Sequence, residues 1–232
     1  MLENGPVTVR VRESPRARTA RIVVRRDGVV EVVVPLRVSS AEIDRLLERH
    51  RAWISKRTES TTQLGLDRPG VVWRDLEPIP IELVPSSGDA RARLREGRLV
   101  VGEAPDANVR AAIERWYRRE ARRLITESVE HEAARLQLAF QAIAIRDQQT
   151  RWGWCSRRGT LSFNWRLAIT PRDVREYVVI HELCHLRELN HSKAFWQLVA
   201  TAMPSWQEHK RWLREHGREL QAYTIGWPPP SG

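Results

Sequence analysis

The residues best equipped for chemistry lie between Tyr177 and His191. There His181, Glu182 and His185 form an H-E-x-x-H pattern, and a third histidine, His191, follows six residues later. In an α-helix, positions i and i+4 share one face, with their side chains roughly 6 Å apart along the axis. His181 and His185 can therefore hold one ion together. Glu182, one step on, can reach water at that ion without ligating it. Two imidazoles on zinc and a nearby carboxylate as general base are the parts of a metallohydrolase.

Three imidazoles would leave the fourth zinc position open, the catalytic rather than the structural arrangement. His191 is the expected third ligand, with one Zn2+ per chain. A carboxylate from a later helix, Glu208 or Glu215, is the rival. Cys184 falls between the two helical ligands, at the wrong angle to join them. Tyr177, Arg151 and Arg166 are candidates for stabilising an oxyanion.

The pattern needs a helix, and the flanking sequence supplies one. Thr170 suits an N-cap, Pro171 the first helical position and Asp173 the acid of a capping box. Val174, Tyr177, Val178, Val179, Ile180, Leu183 and Leu186 are apolar nearly all round, so the helix is expected to be buried. Asn190 is a candidate left-handed residue ending it, turning His191 back toward the ion.

Several stretches around this helix carry a resemblance. Thr150-Arg-Trp-Gly-Trp-Cys-Ser156, Leu161-Ser-Phe-Asn-Trp-Arg-Leu167, the H-E-x-x-H helix and Asn190-His-Ser-Lys-Ala-Phe-Trp196 follow in that order. Together they resemble the YgjP-like metallopeptidase family, which is similar to the SprT-like and WLM zincin-type peptidases. Arg16 to Ile22 and the Asp27-Gly28 turn resemble it too. Trp154 stands where the family usually has serine, and Phe163 where an aliphatic residue is commoner. The resemblance implies an α+β fold. Its catalytic part would be zincin-like, a mixed sheet whose edge strand lies over the H-E-x-x-H helix. It also implies peptide-bond hydrolysis of a peptide or protein substrate. The strand before the metal helix would be the cleft rim that pairs with extended substrate, bringing Asn164 and Trp165 to the substrate.

Composition sets the outer limits. The chain has 232 residues and formal net charge +10, and of its 39 basic residues only Lys56, Lys193 and Lys210 are lysine. A basic balance attracts polyanions, so an alternative reading is a nucleic-acid-associated protease, or a DNA- or RNA-binding protein acting on bound proteins. The arginines are spread along the chain, which favours an ordinary solvated surface. No apolar run approaches the roughly 20 residues that span a bilayer. The first residues lack a basic stretch followed by an apolar one, and the two cysteines do not suggest a disulfide scaffold; a cytoplasmic location is expected.

The remaining elements divide into a β-rich N-terminal portion over 1–103, carrying one helix, and a catalytic portion over 104–232. Val7, Val9 and Val11 alternate as a strand, and 20–34 read as a hairpin about Asp27-Gly28. Ser39 with Glu42 starts a helix over about 41–57. Strands are expected at 71–74 and 79–84, where Pro78 and Pro80 point to an edge, and a hairpin at 93–101 about Glu96-Gly97. A long helix over 106–137 carries a stripe of arginines from Arg110 to Arg123. Strands at 141–147 and 160–169 flank a turn-rich loop. Ser192 caps a helix over 193–203, and Ser205 with Glu208 starts another that Gly217 ends. The tail, 227–232, is expected to be mobile.

Overall fold

The computed structural model describes residues 9–15, 17–24, 30–59, 64–66, 68–88, 90–103, 108–148 and 150–225. Val7, the Asp27-Gly28 turn, Pro105 and the tail lie outside them. The chain parts into two compact units, 1–67 with 218–224, and 68–217 with 225–232. The sequence-based division at 103/104 follows the passage from strand-rich patterning to the long helix, whereas this one follows packing.

In the first unit, β1 (Val9–Glu13), β2 (Arg21–Val24) and β3 (Val30–Val34) form a sheet in the order β1-β3-β2. β1 runs parallel to β3 and β2 antiparallel to it, with Ile22 opposite Val32. Central β3 is buried along its whole length, and Val30, Val32 and Val34 pack with Ile54 against Ile22, Val38, Ile43, Leu46 and Leu47. The capping box forms as its residues require. The Ser39 N–H donates to the Glu42 carboxylate at 3.0 Å, and the Glu42 N–H donates to the Ser39 hydroxyl at 3.3 Å. The helix expected over 41–57 is two, α1 (Ser40–Arg49) and α2 (Arg51–Glu59). They part at His50, whose N–H is shared between the carbonyls of Leu46 and Leu47, a tightened last turn.

The second unit opens with β4 (Val71–Arg74), β5 (Glu77–Pro85), β6 (Ala92–Arg95) and β7 (Arg98–Glu103), in the order β4-β5-β7-β6. The prolines explain their own placement. Pro78 and Pro80 pair only with β4, and β7 joins β5 from Ile81 onward, so both prolines sit where one side of the strand needs no N–H. The turns at Asp75-Leu76 and Glu96-Gly97 have φ of +53°, +62°, +46° and +75°, the paired left-handed values of a tight hairpin.

Helix α3 (Val109–Leu136) starts at Asn108, whose side chain accepts the Ala111 N–H at 2.9 Å. It buries Ile113, Tyr117, Ala121 and Ile125, a spacing of four that keeps them on one face. The Tyr117 hydroxyl accepts from Trp73 N–H at 2.8 Å and lies 3.1 Å from the Trp73 carbonyl, tying α3 to β4. Much of the arginine stripe is occupied by its own chain. Arg115 and Arg119 donate to the carbonyls of Ala90 and Ala92, Arg122 to that of Ile143, and Arg123 to Glu120 and Glu127.

The second sheet of this unit corrects two expectations. β8 (Ala142–Arg146), β9 (Gly153–Cys155) and β10 (Thr160–Asn164) lie in the order β8-β10-β9, with β10 parallel to β8 and antiparallel to β9. The strand before the metal helix is thus central, and β9 and β8 are the edges. The strand expected over 160–169 also stops at Asn164, where a short 3-10 helix, Trp165–Ala168, begins. The apparent alternation misled because residues 161–170 are all buried, polar ones included, as a covered central strand allows.

α4 (Arg172–Cys184) follows. Its N-cap is Pro171 rather than Thr170, whose hydroxyl instead donates to the Leu167 carbonyl at 2.9 Å. The helix ends at Cys184, and Asn190 does not take the left-handed conformation. α5 (Lys193–Ala202) is capped by Ser192, whose hydroxyl accepts the Phe195 N–H. α6 (Trp206–Ala222) does not stop at Gly217; that glycine lies inside it, facing the Trp152 indole, which a Cβ there would meet at 3.4 Å.

Candidate metal centre

The three histidines expected as ligands come together. One ligand atom from each of His181, His185 and His191 can be chosen with all three within 4.8 Å of one another. His181 lies in the last turn of α4, and His185 caps it with φ −66° and ψ −15°, still helical, so the i, i+4 relation survives the helix's early end. Residues 185–191 then curl back. The Leu186 and Arg187 N–H groups donate to the carbonyls of Leu183 and Cys184, and the Ser192 N–H to that of Asn190.

Orientation is set by neighbours. His185 Nδ1 lies 2.9 Å from the Glu188 carbonyl, so it donates its proton there and leaves Nε2 a free lone pair. His181 Nε2 and His191 Nε2 face each other at 3.0 Å. Two nitrogens on a tetrahedral zinc at its usual bond length would stand roughly 3.3 Å apart. Phe195 wedges among the rings, stacking on His185 at 4.4 Å and meeting His181 and His191 edge-on at 4.9 and 4.8 Å. Trp196 stacks on His191 and on Trp206, with Lys210 Nζ 4.0 Å over its ring.

The electrostatics favour the neutral form of His181 and His191. Burial, then the neighbouring His185, His191 and Lys210, pulls His181 down to about 3. Burial, followed by His185 and Lys210, lowers His191 as well. Neutral imidazoles with free lone pairs are the form that binds metal, and a borderline divalent ion such as zinc suits a set of three. The donor set therefore fits zinc. Neither Glu208 nor Glu215 belongs to this group.

Glu182 is only 5% exposed, and burial raises its carboxyl to about 8 against the opposing pull of Arg151. It lies close against the backbone of β9. A Cβ added to Gly153 would lie 2.5, 2.6 and 2.7 Å from Glu182 Oε1, Cγ and Cδ. The carboxylate therefore rests on the edge strand β9 at the one position with no side chain. Nothing in the spacing signals that role, because glycine and carboxylate are 29 residues apart in the chain.

These groups share a cleft of about 450 Å³, lined also by Arg151, Trp152, Trp154, Cys155, Tyr177, Leu189 and Leu213. Of the candidate oxyanion groups, Tyr177 and Arg151 reach it. Burial, then Glu182, raises Tyr177 to about 12, so it stays a protonated donor. Arg166 does not line the cleft; it is buried, pairs with Asp147 and lies 4.3 Å over the Trp165 ring. Asn164 and Trp165, expected at the substrate, are also absent from the cleft. Asn164 is fully buried, its amide donating to the carbonyls of Gln148 and Arg151 and its oxygen accepting the Arg166 N–H. Trp165 packs against Tyr117 with ring centres 4.9 Å apart. Both hold the site's framework.

Comparison with known proteins gives the chain's family. No curated protein matches the chain. One solved structure, the metallopeptidase zymogen abylysin of Pyrococcus abyssi, is similar over 40% of this chain and 96% of its own, at 24% identity and a TM-score of 0.37. The family described as YgjP-like, metallopeptidase domain matches residues 18–216. With that match spanning most of the sequence, the chain belongs to the YgjP-like metallopeptidase family.

Proposed function

We propose that the chain is a zinc-dependent peptidase in which His181, His185 and His191 hold one ion and Glu182 is the general base. The observation that carries this reading is the convergence of three imidazoles with a buried carboxylate in one cleft. When bound, zinc would act as a Lewis acid, lowering the pKa of water, polarising a carbonyl and favouring the ionised form of Glu182. The Glu182 carboxylate takes a proton from the attacking water and delivers it to the leaving amine nitrogen. Tyr177, a phenol that stays protonated, donates to the oxygen on which charge develops. Gly153 keeps β9 close to Glu182 and so fixes the carboxylate's height above the cleft floor. The substrate main chain pairs with the open edge of β9, a zincin-like arrangement with the rim on β9 rather than β10.

Action on nucleic-acid-bound proteins gains no support from α3, where Arg115, Arg119, Arg122 and Arg123 are taken up by carbonyls and carboxylates. Casein digestion by the zinc-loaded protein tests the peptidase reading. Cleavage should vanish in Glu182→Gln and after chelation, and return when zinc is restored. Equal cleavage by wild type and Glu182→Gln would refute Glu182 as base.

A further inference from the structure

Two large apolar side chains are left open to water inside the cleft. Trp154 is 46% exposed and Leu189 is 52% exposed, and both line the space that holds His181, His191 and Glu182. Each is held by something the site already needs. Trp154 is the middle residue of edge strand β9, between Gly153, on which Glu182 rests, and buried Cys155. Leu189 follows Glu188, whose carbonyl orients His185, in the turn between the two ligands His185 and His191. Both residues therefore belong to segments that also carry parts of the site, which keeps the apolar surface beside the reacting centre.

Exposed apolar surface within a functional cleft is the usual mark of a surface that a ligand covers. Further apolar lining comes from Val178 and Leu213, and the cationic group that lines the cleft is Arg151. A bulky apolar side chain would cover Trp154 and Leu189, whereas a basic one would lose hydration there and face Arg151.

We propose that Trp154 and Leu189 form a subsite selecting a bulky apolar side chain next to the scissile bond, so that the substrate class is peptides with Phe, Leu or a similar residue at that position. This rests on the peptidase reading and names its specificity.

The test separates binding from turnover. Fluorescein-labelled peptides Gly-Gly-X-Gly-Gly, with X as Phe, Leu, Ala, Asp or Lys, are titrated by anisotropy into the zinc-loaded full chain carrying Glu182→Gln. Phe and Leu should bind roughly tenfold or more tighter than Ala, the scale on which an apolar pocket distinguishes apolar groups. Lys should bind most weakly. Adding Trp154→Ala should reduce the preference for Phe over Ala to less than threefold. Leu189→Ser, at a half-exposed turn position, should weaken it independently, which covers a Trp154 variant that fails to fold. A flat series, or a preference unchanged by both substitutions, overturns the subsite. Casein cleavage by wild type then distinguishes the two failures. Cleavage with a flat series sinks the subsite alone, and no cleavage with no peptide bound sinks the peptidase reading with it.

Discussion

Gly153→Ala is the substitution with the most to say about this site. The added methyl group would meet Glu182 Oε1 at 2.5 Å, Cγ at 2.6 Å and Cδ at 2.7 Å, and ordinary contact begins near 3.4 Å. Relief therefore needs a displacement of roughly 0.9 Å, and both partners are constrained. Gly153 is held in β9 by its pairing opposite Phe163 on β10, and Glu182 is on buried helix α4. Misplacing a catalytic group by about 1 Å costs on the order of a hundredfold in rate. That corresponds to about 2.7 kcal/mol of transition-state stabilisation. Overpacking of this kind also costs about 1–3 kcal/mol of stability. The three histidines take no part in the clash, so zinc content should not change. The assay is kcat/KM on a fluorogenic peptide, with zinc content and thermal melting measured on the same preparation. The expected result is a loss of about a hundredfold with one zinc ion still bound. Activity within threefold of wild type would refute the claim that Gly153 positions Glu182.

Other expectations follow from the same geometry. Gly217→Ala meets the Trp152 indole at 3.4 Å and lies inside α6, so gained helix propensity offsets mild crowding; thermal melting should show a change within about 1 kcal/mol of neutral. Cys155 and Cys184 are buried thiols pushed up to about 11, chiefly by burial, so iodoacetamide at pH 7.5 should label neither in the native protein, and both after unfolding in urea. In metal-free protein, the rise of Glu182 from 4.5 to about 8 means its stabilising contribution is complete below its unfolded value and fades as pH climbs through about 8. The lowered His181 and His191 work in the opposite sense, so the comparison isolates Glu182: urea unfolding in chelator should show wild type losing roughly 2–3 kcal/mol relative to Glu182→Gln between pH 6 and 9.

How far the sequence spoke for itself depended on the range of the interaction. The H-E-x-x-H spacing and the Ser39–Glu42 and Ser192 caps are local, and each forms as its residues require. Pro78 and Pro80 were readable as one-sided positions, although β5 as a whole is internal, because the two halves of that strand have different partners. Strand order was not readable. The run from Leu161 to Ile169 looks like an amphipathic edge strand, but its polar residues are buried by partners far off in sequence. Asn164 bonds to Gln148 and Arg151, and Arg166 to Asp147. Those bonds hold Asn164 away from the cleft, and Trp165 packs on Tyr117 instead. The contact of Gly153 with Glu182 was equally hidden, since a residue without a side chain leaves no pattern to read. Gly217 reads as a helix stop from local rules alone, yet α6 runs on past it to Ala222.

Whether three histidines hold one catalytic metal ion is decided by elemental analysis. Wild type and the single variants His181→Ala, His185→Ala and His191→Ala would be loaded with zinc, freed of excess and measured. Wild type should hold one zinc ion per chain and each variant should lose most of it. Undiminished zinc in His191→Ala would pass the third position to another ligand, and no zinc in wild type would refute a zinc-dependent centre outright.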